Sequence, residues 1–77
     1  MKSITCKDLG GACEIIFVGS SFEEVEQQSK NHGKEMFQQK DQPHLEAMKT
    51  MTHIYNNQEK FEAWYQSKKE FFDNLPE

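Results

Sequence analysis

Two short runs rich in β-branched and aromatic residues open the chain, at residues 2–6 and 13–18, the second reading Cys13-Glu14-Ile15-Ile16-Phe17-Val18. Between them lies Lys7-Asp8-Leu9-Gly10-Gly11-Ala12. Such runs on either side of a turn-forming segment predict a β-hairpin over residues 2–18. The adjacent glycines fit a connection that needs special backbone dihedrals.

After Gly19 the apolar period changes to steps of three and four. Phe22, Val25, Ser29, His32 and Met36 share one helical face, which turns His32 inward. Ser21 is suited to cap this helix, with Glu24 reaching back as a capping box. Asn31-His32-Gly33 offers two outcomes: a stop with Gly33 in the left-handed cap, or continuation through Phe37 against a glycine penalty of about 1 kcal/mol. The expectation is the stop, giving a helix over about 21–32.

The polar link Gln38-Gln39-Lys40-Asp41-Gln42 leads to Pro43, a residue suited to a helical first turn. A second helix over about 43–55 then carries His44, Ala47, Met48, Met51, Ile54 and Tyr55 on one face. Asn56, with Glu59 three residues on, is expected to cap a third helix over about 57–74. Its stripe is Phe61, Trp64, Tyr65, Lys68, Phe71, Phe72 and Leu75, closed by Pro76. The predicted fold is a single α+β domain over residues 1–77, an N-terminal β-hairpin packed against two to three α-helices.

Size makes this pattern marginal on its own. A chain of 77 residues buries only about 60% of its unfolded surface, and small domains usually add a disulfide, a metal or an oligomer interface. Thirteen Asp and Glu oppose nine Lys, with no Arg. Lacking the guanidinium fork and carrying an acidic surface, the chain is not expected to bind nucleic acid or anionic lipid. No apolar run approaches a membrane span and the N-terminus lacks the features of a secretory signal, so a cytoplasmic location without membrane contact is expected. In a reducing cytosol two cysteines are thiols, metal ligands or redox groups rather than a permanent disulfide.

Candidate chemistry centres on those cysteines. In a regular hairpin Cys6 and Cys13 would face each other across the strands, with Cα atoms about 4.5 to 5.5 Å apart. That separation suits a disulfide, and equally two thiolates converging on one soft metal ion. The gap between them exceeds that of common zinc knuckles, so the hairpin itself must bring them together. Tetrahedral zinc needs further ligands; His32, inward on the first helix, is the nearest candidate, and His44 at the head of the second is the next.

His53 is nine residues from His44, at about 100° per residue, and so falls on the opposite side of the helix, facing solvent. Each candidate has a plainer reading. Histidines at such positions are commonly hydrogen-bonded structural residues, and buried thiols pack as small hydrophobes. Asp8 reads as a turn residue bonding backbone amides, with ligand orientation as its alternative. Met36, Met48 and Met51 would suit monovalent copper, but methionines at helical spacing are ordinarily core filler.

Three functions fit these residues. The first is a non-catalytic module holding Zn2+ or another transition metal through Cys6, Cys13, His32 and His44. The second is a thiol redox protein using the Cys6/Cys13 pair, with His32 lowering one thiol pKa. The third is a structural or partner-binding protein without metal, and the aromatic third helix makes self-association a natural expectation. An enzyme is not expected: there is no nucleophile elbow, His-Glu zinc helix or phosphate-cradling glycine loop.

Five stretches stand out together: Met1-Lys2, Thr5-Cys6-Lys7-Asp8-Leu9-Gly10-Gly11-Ala12-Cys13, Phe22-Glu23-Glu24-Val25, His32-Gly33-Lys34-Glu35-Met36 and His44-Leu45-Glu46-Ala47-Met48. Through them the chain resembles a bacterial and archaeal family of unknown function described as predicted small metal-binding proteins. The resemblance implies Cys6, Asp8, Cys13 and His32 as the defining polar positions. Some relatives have a histidine shortly after the His-Gly pair, where this chain has Phe37, which leaves His44 or water to complete a coordination sphere.

Overall fold

A computed structural model describes residues 1–77. Strands β1 (Lys2–Thr5) and β2 (Ile16–Gly19) are followed by helices α1 (Phe22–Gln38), α2 (Gln42–Tyr55) and α3 (Gln58–Asp73). The fold is therefore α+β with an N-terminal antiparallel hairpin, as the pattern predicts. The register pairs Ile4 with Phe17 and Thr5 with Ile16. Because side chains alternate across a strand, Ile4 and Phe17 enter the core while Ile16 and Val18 face outward, exposed.

The strands are shorter than expected, and both cysteines lie outside them. Residues 6–15 instead fold back as a wrapped connection containing one 3-10 turn, Lys7–Leu9. Two features force this shape. Asp8 accepts the Thr5 N–H at 3.1 Å while the Thr5 hydroxyl accepts the Asp8 N–H at 3.0 Å, which closes the turn. Leu9 is buried, pulling the turn onto the core. The glycine pair divides its work: Gly10 takes φ 95°, and a Cβ on Gly11 would stand 2.1 Å from the Cys6 Sγ.

Helix α1 does not stop before Gly33; it continues to Gln38. The left-handed residue that follows is Lys40, φ 56°, with the Asp41 N–H bonded to the Met36 carbonyl and the Lys40 N–H to that of Phe37. This is a Schellman closure made without glycine. The expected break fails because α1 packs against β2 and α2, and that burial outweighs a glycine penalty of about 1 kcal/mol. Gly33 itself faces α2, where the Met48 methyl lies 3.9 Å from its Cβ position.

Capping follows the sequence with small shifts. Ser21 caps α1, but Glu24 reaches back to the N–H and hydroxyl of Ser20 rather than of Ser21. Pro43 sits in the first turn of α2, whose cap is Asp41. Asn57, not Asn56, caps α3, accepting the Lys60 N–H at 3.0 Å; Asn56 instead terminates α2. The core joins Ile4, Cys6, Leu9, Phe17, Phe22 and Val25 to one residue of α3, Phe72, whose ring meets that of Phe22 edge-on. No helix is long and apolar enough to cross a membrane.

Candidate metal centre

Cys6 directly follows β1, and its N–H donates to the Ile15 carbonyl at 2.9 Å, one further rung of the hairpin. Cys13 is not its cross-strand partner. The wrapped connection instead brings Cys13 around, with the Cys13 carbonyl accepting the Lys7 N–H at 2.9 Å. The sulfurs thus converge as expected, by loop geometry rather than by register. Both cysteines are free thiols, Cys6 buried and Cys13 half-buried.

His32 comes from the inward face of α1, as its spacing predicts, and its ring packs edge-on against Phe17 and against His44. Its Nε2 is 3.3 Å from the Cys13 Sγ. His44, 7% exposed, comes from the first turn of α2 and places its Nε2 3.8 Å from the Cys6 Sγ. The ligand atoms of Cys6, Cys13, His32 and His44 all lie within 4.8 Å of one another. Four donors so placed are close enough to hold one metal ion.

The remaining candidates fall outside. His53 is exposed, on the far side of α2. Asp8 is occupied by Thr5 as a turn residue. Phe37 is 64% exposed, so the fourth donor comes from His44 instead.

One residue beside the cluster escaped the sequence reading. The Asp41 carboxylate accepts both the backbone N–H of His44 at 3.2 Å and its Nδ1 at 2.5 Å. A carboxylate acceptor fixes the proton on Nδ1 and leaves the Nε2 lone pair facing the sulfurs. The signal was present in Asp41-Gln42-Pro43-His44: a capping aspartate three residues before a histidine in the first turn lies beside that side chain as well as its amide.

Ionisation is asymmetric. Burial pushes the Cys6 thiol above its ordinary value. At Cys13 burial acts the same way, but the Ile15 backbone amide and the neighbouring His44 and Cys6 side chains favour the thiolate and the thiol falls below its ordinary value. The Asp41 hydrogen bond raises the His44 pKa, and the same bond lowers that of Asp41.

A family model matches residues 1–47, a stretch that contains all four donors and Asp41. The chain belongs to DUF1059, a family of proteins of unknown function. Its match ends inside α2, so α3 lies outside the matched stretch. No curated protein and no solved structure matches the chain.

Proposed function

We propose that this DUF1059 member is a small, non-catalytic protein that binds Zn2+, or a transition metal of similar preference, through Cys6, Cys13, His32 and His44. The observation that carries the reading is a pair of distances. Tetrahedral zinc with bonds of about 2.0 to 2.3 Å separates its ligand atoms by about 3.3 to 3.8 Å. Two of the four sulfur–nitrogen separations, Cys13–His32 and Cys6–His44, are 3.3 Å and 3.8 Å, and all the ligand atoms lie within 4.8 Å of one another.

Charge and outer contacts point the same way. Two thiolates and two neutral imidazoles leave a divalent cation with no net charge, which suits a site whose Cys6 and His44 are buried. Asp41 takes the place of the carboxylate that commonly orients a zinc-bound histidine. A complete set of four protein donors favours a structural site over a catalytic one, since catalytic zinc keeps a position for water or substrate. The free thiols fit a reducing compartment, and the proposal places the protein in the cytoplasm.

Elemental analysis of untagged protein, followed by zinc titration of the stripped chain, tests this reading. One equivalent of metal, released by chelator together with a fall in melting temperature, is expected. Folded protein that takes up no zinc and whose stability ignores it would remove the idea.

The second reading is a dithiol redox protein, favoured by one observation: neighbouring thiols whose pKa values are pushed in opposite directions. A reversible Cys6–Cys13 disulfide forming in metal-free protein at the potentials of cellular thiol buffers would favour it.

A further inference from the structure

Beside the cluster lies a cavity of about 160 Å3. Three of the four donor residues, Cys6, His32 and His44, line it together with Met48, Met51 and Trp64. A side chain on Gly10 would project among these walls, meeting the Met51 Sδ at 3.1 Å and the Trp64 Nε1 at 4.0 Å. We propose that this cavity binds one small, uncharged, single-ring aromatic molecule and holds it against the metal cluster.

Size, charge and wall chemistry select that class. An apolar cavity of about 150 Å3 accepts a benzene-sized ring, and this pocket, open to solvent on one side, has room for one such ring between its walls. Charged ligands find no counter-ion: the lining holds one carboxylate and one ammonium, Glu26 and Lys30, already 3.8 Å from each other. A neutralised metal cluster adds none. Two thioethers and an indole favour a flat, polarisable ring over an aliphatic one, through sulfur–aromatic and edge-to-face contacts. The Trp64 N–H supplies one donor for a hydroxyl or ring-nitrogen acceptor.

Seating the ring against a metal-loaded cluster, and the lack of charge on that wall, rest on the metal reading above; binding of the ring between Met48, Met51 and Trp64 does not. The experiment separates them. Phenol is titrated into the protein as purified, following the indole proton of Trp64, the only tryptophan in the chain, by NMR. A saturable shift with a dissociation constant of about 1 mM is expected for so small a ligand. Cyclohexanol, benzoate and the cavity-filling variant Ala47→Leu should each weaken binding by about tenfold or more. If Ala47→Leu loses its helical circular dichroism, Ser29→Leu fills the same cavity from α1. A shift that never saturates, persists in the filled variant, or is equal for phenol and cyclohexanol overturns the proposal.

In the second arm the cobalt-substituted protein is titrated with phenol. Displacement of its visible absorption bands is the expected result. Unmoved bands alongside a saturating Trp64 shift overturn the contact between the ring and the metal's ligand side chains. Failure to take up cobalt at all counts against the metal site, while the Trp64 titration still decides whether the ring binds.

Discussion

The two ends of this molecule are held together differently. Nine residues are buried, and all but Phe72 lie at or before His44. The first part thus carries the core, the cluster and the family match, in a hairpin too short to be stable alone. The second part, the rest of α2 with α3, is largely exposed and rests on capping, aromatic contacts such as Tyr55–Phe61, and one buried ring from α3. In a chain this small the first part is where a bound metal can replace the core that cannot be built.

The strongest way to break that comparison is to remove the sulfurs. Stripping zinc, or making Cys6→Ser with Cys13→Ser, should abolish metal uptake. Zinc at a thousandfold its dissociation constant contributes about 4 kcal/mol, which for a domain of this size is a melting shift of roughly 15 to 30 °C by calorimetry. An unchanged melting temperature would show that the first part needs no metal.

Phe72→Ala attacks the other end. Truncating a buried phenylalanine costs about 3 kcal/mol or more, read as a lower urea midpoint and loss of helical signal. In zinc-loaded protein the cobalt-exchangeable site should survive, because no donor lies on α3. Joint loss of site and helix would mean that the two parts fold as one.

Asp41→Asn is expected to lower metal affinity by about 10- to 100-fold, the usual loss when a histidine loses its orienting carboxylate. Competition against a chromophoric chelator measures it, and an unchanged affinity would reduce Asp41 to a helix cap. The same contact sets a pH dependence. Asp41 raises the His44 pKa, so protons compete with metal from above the ordinary histidine value of about 6.5 downward. Affinity should therefore fall as pH drops through neutrality, and Asp41→Asn should move that fall to lower pH.

The smallest effect sharpens the picture of α1. Gly33 is helical, and its Cβ would meet only the Met48 methyl, at 3.9 Å. Gly33→Ala should stabilise the protein by about 0.5 to 1 kcal/mol, seen as a higher urea midpoint. Destabilisation would show that α1 and α2 approach too closely for a methyl group.

Much of this was legible beforehand because it is local. The inward turn of His32, the outward turn of His53, the caps at Ser21 and the first turn at Pro43 all follow from spacing within one helix, where the relevant contacts span only a few residues. The strand ends and the end of α1 were not legible. Whether Cys13 stays in a strand, or Gly33 ends a helix, depends on what packs there from elsewhere, and weak local preference yields to burial.

Residue types and short-range periodicity alone determined the element order, the four candidate donors and the acidic, arginine-free composition. Only the tertiary structure decided that the donors meet. It also turned a cross-strand cysteine pair into a folded loop, and made a helix cap the partner of a histidine that faces the two thiols. The reason is physical: one-dimensional spacing sets which way a side chain points along its own element, while convergence depends on how separate elements pack, through contacts distant in sequence.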